Sequence, residues 1–144
     1  MINSQKIVVA VLSDLMFTVK IQEAAKRAGM DAVFVRSRQD ALAQAKLNPA
    51  VIILDLNSTG TDALDLIGAL KADEETKGID LLGYVSHVQV DVKQAAQDRG
   101  CDMVIARSAF SQNLPIILKR YAHASEPAEA NIETAPEPAA GVSA

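Results

Sequence analysis

Tryptophan is absent, and the 144 residues hold only five other aromatics, three Phe and two Tyr. A nucleic-acid surface needs stacking rings or a clear excess of positive charge. The charge is missing as well, since 14 Lys and Arg stand against 18 Asp and Glu. Four of the acids (Glu126, Glu129, Glu133, Glu137) lie beyond Ser125, where no basic residue occurs, so residues 1–124 carry 14 of each sign. No nucleic-acid partner is expected. A single cysteine, Cys101, excludes an internal disulfide and fits a reducing compartment. Near the N-terminus, IVVAVL is an apolar run of six residues, too short for a signal peptide and far too short for a bilayer. A cytoplasmic protein with no membrane attachment is expected. Neither G-x-G-x-x-G nor a Walker A loop occurs, so dinucleotide and nucleoside-triphosphate sites lack support.

Apolar residues, by contrast, make up 49% of the chain, enough for a sizeable core. They gather in five short runs: Ile7–Leu12, Ala32–Val35, Val51–Leu54, Leu81–Val85 and Met103–Ala106. Between the runs, apolar residues recur every three or four positions: Phe17, Ile21, Ala25 and Ala28; Ala41, Ala43 and Leu47; Leu64, Ile67 and Leu70; Val92, Ala95 and Ala96; Leu114, Ile117, Leu118 and Tyr121. Ser37 before Asp40 and Ser86 before Gln89 read as capping boxes. Gly29 and Gly100 read as helix ends, and Pro115 as a residue of a first helical turn. KRAGMDAVFV and QDRGCDMVIA share one grammar of helix end, glycine, one residue, aspartate and strand. Strands alternating with helices predict an α/β fold, (βα)5, with a doubly wound parallel sheet of five strands. The domain is expected over residues 1–123. Residues 124–144 are Ala, Pro and Glu with almost nothing to bury, and a disordered acidic tail is expected there.

In such a sheet, chemistry gathers outside the carboxyl ends of the strands, near the switch in strand order. Those ends carry Ser13 and Asp14, then Arg36, then Asp55 to Asn57, then Ser86 and His87, and last Arg107 and Ser108. All but the second set converge if the strand order is 2-1-3-4-5, the order expected here. Asp55 raises the sharpest question, because it closes the apolar stretch VIILDLN, where a charge needs a partner.

Over about residues 5–122 the chain resembles the receiver domain of bacterial response regulators, a flavodoxin-like fold, by element order and motif placement. The resemblance implies that Asp55 is the phosphoacceptor and that Asn57 lends a backbone carbonyl to the metal. It implies too that Ser86 contacts the phosphoryl oxygens. Arg107, in ARSAF, stands where the family has lysine followed by proline and phenylalanine; Phe110 comes one residue late. The family's first strand ends in two acids that bind Mg²⁺. Here that place falls on Val11 and Leu12, or on Leu12 and Ser13, and the nearest carboxylate, Asp14, comes late. Mg²⁺ commonly uses one or two carboxylates plus phosphate oxygens, so one lost ligand is expected to weaken its site and two to abolish it.

Each residue also has a plainer reading. Asp55 caps its loop or pairs with Arg107; such a two-pronged pair would hold it ionised. Ser86 caps a helix, Asp14 sits in a first helical turn, His87 is an exposed loop residue and Cys101 is packed. KADEETKG is a solvated loop. From all this we expect a stand-alone receiver-like signalling protein of the two-component, phosphorelay type, not an enzyme. It is expected to act by protein–protein contact with a sensor histidine kinase or another signalling protein, with weak or absent Mg²⁺-dependent phosphorylation. The face built by the fourth helix, fifth strand and fifth helix would make those contacts, or a homodimer. No output domain is expected after residue 122. The second reading is a conventional phosphoprotein, in which an Asp55 acyl phosphate touches Ser86 and Arg107 and shifts the face near Tyr84 and Val104. A flavodoxin-like small-molecule-binding domain is the third, with no catalytic set to support it.

Overall fold

A computed structural model describes residues 6–57, 62–86 and 90–123. The expected tail, His87 and the Gln89 half of the second capping box lie outside the described residues. The five apolar runs form strands β1 (Ile7–Val11), β2 (Asp31–Val35), β3 (Val51–Asp55), β4 (Asp80–Val85) and β5 (Met103–Ala106). They alternate with helices α1 (Leu15–Arg27), α2 (Arg38–Ala45), α3 (Ala63–Ala72), α4 (Val90–Asp98) and α5 (Arg107–Ala122). The strands pair in parallel in the order β2-β1-β3-β4-β5, as expected.

Side chains of successive strand residues point to opposite faces, and both faces are buried in the central strands. Val9, Val11, Ile52, Leu54 and Leu81 pack with Ala41, Ala45, Leu66, Ile67, Leu70 and Ala96 of α2, α3 and α4. Val8, Ala10, Val51, Ile53, Leu82 and Tyr84 pack with Phe17, Ile21, Ala24, Ala25, Phe110, Leu114 and Leu118 of α1 and α5. Asp55 therefore falls on the α1/α5 face, two residues beyond Ile53.

The repeated grammar has a repeated structural cause. Gly29 and Gly100 take φ of 77° and 106°, which a side chain would resist. In each, the glycine N–H bonds back to Lys26 or Gln97, and the next residue's N–H to Ala25 or Ala96. This double bond is the Schellman closure of a helix. It turns the chain so that Met30 and Cys101 are buried just before β2 and β5. Cys101 is packed, as expected, and burial pushes its thiol pKa up.

Three local expectations change. Pro115 lies inside α5 and not in its first turn, because α5 starts directly at the end of β5 with Ala106 as a cap that makes no side-chain bond. No capping signal marks that start, and Ser111 loses the helical donor that Pro115 lacks. The buried stripe of α2 is Ala41 and Ala45 with Leu42 beside it, while Leu47 is exposed. KADEETKG is not wholly solvated: Thr76 is buried and its hydroxyl donates to the Leu70 carbonyl at 2.6 Å. Among the described residues, no helix is long and apolar enough to cross a membrane.

Candidate functional site at the carboxyl ends of the strands

The register sets what meets Asp55. Asp55 is level with Tyr84 of β4, and Leu54 with Val11 of β1, so the chain leaving β1 passes Asp55 at Leu12. Leu12 is buried in the α1/α5 core. A leucine thus occupies the level at which a carboxylate from β1 would face Asp55. Gly83 makes room for the bend after β3: a Cβ there would lie 2.8 Å from Leu56 Cδ1. Leu56 tucks over the glycine while its N–H bonds to the Tyr84 carbonyl, which anchors Asp55 at the strand end.

Asp55 Oδ1 accepts the Asn57 N–H at 2.9 Å, the loop cap foreseen for it. Burial is the strongest influence on its carboxyl and pushes it above the ordinary range. The Asn57 N–H and the Arg107 charge pull the other way, and Asp14 adds to the rise. The Asn57 side chain closes the loop against β4, accepting from Ser86 N at 2.6 Å and from Ser86 Oγ at 3.0 Å. Ser86 is therefore engaged by Asn57 in this arrangement.

The partner of Arg107 differs from the expected one. Its Nη2 is ion-paired to Asp14 Oδ2, and Asp55 feels the guanidinium through space. Asp14 is also not a first-turn residue but the N-cap of α1. Its Oδ1 accepts from Met16 N at 2.9 Å and Phe17 N at 3.3 Å. The same turn of helix puts the Phe17 ring under the guanidinium, with Arg107 Cζ 4.6 Å from the ring centroid. That distance is within reach of a cation–π attraction. Phe17 completes an aromatic trio with Tyr84 and Phe110, at 5.1 and 5.7 Å, and Tyr84 stacks on Phe110 at 4.9 Å. The late phenylalanine is thereby explained. Because α5 begins at Arg107, Phe110 is one helical turn on and points into the core.

Tyr84 is not on the face of Val104. It is level with Ile105, while Val104 is level with Gly83 and packs in the other core. Its buried hydroxyl makes no hydrogen bond. Burial drives that phenol's pKa upward, and the charges of Asp55 and Asp14 add to the rise. Sequence reasoning missed Phe17 as a site residue; its only signal was its place three residues after Asp14.

A raised carboxyl pKa has a measurable consequence. The folded chain holds the Asp55 proton more tightly than the unfolded chain, so stability is lost as pH rises through the folded value. Asp55→Asn removes that loss and keeps an acceptor for Asn57. Its melting temperature should exceed the wild type's at pH 7, and the gap should close below about pH 4, where carboxyls are largely neutral. Identical melting at pH 7 would mean that burial costs the charge nothing.

A divalent ion fits these donors poorly. Both Asp14 oxygens are engaged, one Asp55 oxygen is engaged, Leu12 supplies none and a guanidinium sits alongside. Among the described residues, no group of three or more His, Cys, Asp or Glu could hold a metal ion.

No protein-family model and no curated protein matches the sequence. Solved structures match the fold. The phosphorylated cyanobacterial phytochrome response regulator RcpA superposes with a TM-score of 0.69 at 24% identity, over 83% of this chain and 93% of its own. Chemotaxis response regulator CheY4 of Vibrio cholerae gives 0.71 at 19% identity, over 82% and 99%. The Mn²⁺-bound response regulator Rcp1 gives 0.67 at 17% identity, over 92% and 99%. The likeness is one of fold: five parallel strands in the order 2-1-3-4-5 with five helices, as in response-regulator receivers.

Proposed function

We propose that the protein is a receiver-like signalling module that works by binding a sensor histidine kinase or another signalling protein, and not as an enzyme. Metal-dependent phosphorylation of Asp55 plays little or no part. One observation carries this reading: the only carboxylate that the β1–α1 junction offers, Asp14, caps α1 with one oxygen and holds Arg107 with the other. Phosphoryl transfer relies on cations that neutralise the equatorial oxygens and are free to meet them. Here neither the acid that would bring Mg²⁺ nor the Arg107 cation at the start of α5 is free. The proposed contact face is α4, β5 and α5, where Val90, Met103 and Ile116 each leave an apolar side chain exposed.

The test is to incubate the protein with millimolar Mg²⁺ and a small phosphodonor, or with beryllofluoride, and follow intact mass and amide shifts. No change is expected. A gain of about 80 Da that Asp55→Asn abolishes would overturn the reading in favour of a conventional phosphoacceptor.

A further inference from the structure

Two carboxylates and one cation share the crevice at the strand ends, and the cation's position is unusual for its own helix. Arg107 is the first residue of α5, where the helix dipole disfavours positive charge, and Ala106 supplies no side-chain cap. What holds the guanidinium comes from α1: the Asp14 carboxylate on one side and the Phe17 ring beneath. The guanidinium is thus held at the start of α1, near enough to Asp55 of β3 and Tyr84 of β4 for its charge to act on both. We propose that Arg107 is the resident cation of this crevice, occupying the electrostatic place of a divalent ion between Asp14 and Asp55 and closing both carboxylates to metal.

The proposal deepens the functional reading above, on which it rests, by stating how the site is kept in one state. A metal ion enters and leaves with its concentration; a side chain does not. With the guanidinium in place, the charges of the crevice are two negative and one positive, and Asp55 is neutralised in part by Arg107 through space. Tyr84 is 2% exposed, and its buried hydroxyl, without a hydrogen bond, lies within the fields of all three groups. It marks the crevice as short of one polar partner. If the guanidinium is removed, two half-buried carboxylates and this hydroxyl are left without a cation, and oxygen donors of that kind suit a hard divalent ion. Arginine suits the role better than lysine would, because its planar head pairs with a carboxylate edge-on and stacks on a ring at once.

Mn²⁺ is the probe, because it broadens amide signals near its site. Wild type, Arg107→Gln and Arg107→Met are titrated with Mn²⁺ while amide spectra are recorded; methionine keeps an apolar stem over Phe17. Wild type should show no broadening centred on residues 12–14 and 55–57 at millimolar Mn²⁺. Either folded variant should show it, with at least tenfold tighter binding. Adding Asp55→Asn to the variant should abolish the gain, which separates the crevice from acids elsewhere on the surface. Crevice-centred binding by wild type overturns the proposal whether or not the variants fold. A folded variant that gains no Mn²⁺ affinity, because Asp55 takes up a proton instead, overturns it as well. These failures are distinct from failure of the functional reading, which would appear as phosphoryl uptake by the wild-type chain.

Discussion

Phe110→Ala should destabilise the domain by about 3–5 kcal/mol, the usual cost of emptying a large aromatic site in a core. Phe110 is fully buried, and its ring is the floor on which Tyr84 lies, only 7° from parallel. Removing it opens a cavity beneath the site and takes one neighbour from Phe17, whose own ring carries the Arg107 guanidinium. Phe110→Leu keeps most of the volume and should cost clearly less than the alanine change. Urea unfolding followed by far-UV circular dichroism measures both. A loss below about 1 kcal/mol for Phe110→Ala would mean that the trio does not form the floor of the site.

Asp14→Ala should be the most damaging change among the polar residues of the crevice, at about 2 kcal/mol, because one carboxylate does two jobs. Losing an N-cap costs about 0.5–2 kcal/mol, and Arg107 loses its partner in a part-buried place. Asp14→Asn separates the two. Asparagine caps a helix as well as aspartate does, so this variant keeps the bonds to Met16 and Phe17 and loses only the ion pair. Its cost should fall to about 1 kcal/mol or less, the range of a partly exposed pair. Raising the salt concentration should narrow the gap between Asn and wild type and leave the gap between Ala and Asn intact. Equal losses for the two variants would contradict the double role.

Much of this molecule was legible in short stretches of its sequence. The unbroken apolar runs, the glycines of KRAGMD and QDRGCD, and the serine of SRQD each act over a few residues. The structure shows each at work: two buried faces of the sheet, two Schellman closures and a capped α2, with Ser37 Oγ accepting the Asp40 N–H at 3.0 Å. The place of Asp55 at a strand end was equally plain. The start of α5 is not legible in this way: it has no polar cap, so the sequence alone suggests Pro115 for a first turn that begins at Arg107.

The sequence by itself determined the strands, the helices, their parallel winding and the group of residues that would gather at the strand ends. Only the tertiary structure decided how those residues divide among themselves. Asp14 and Arg107 are 93 positions apart, and their pairing depends on where two helix starts meet over the sheet. Register put Leu12 level with Asp55, and side-chain alternation put Tyr84 on the α1/α5 face and Val104 on the other. Capping and periodicity are local forces that a window of a few residues contains. The choice of a counter-charge is made in space, between groups that only the finished packing brings within reach.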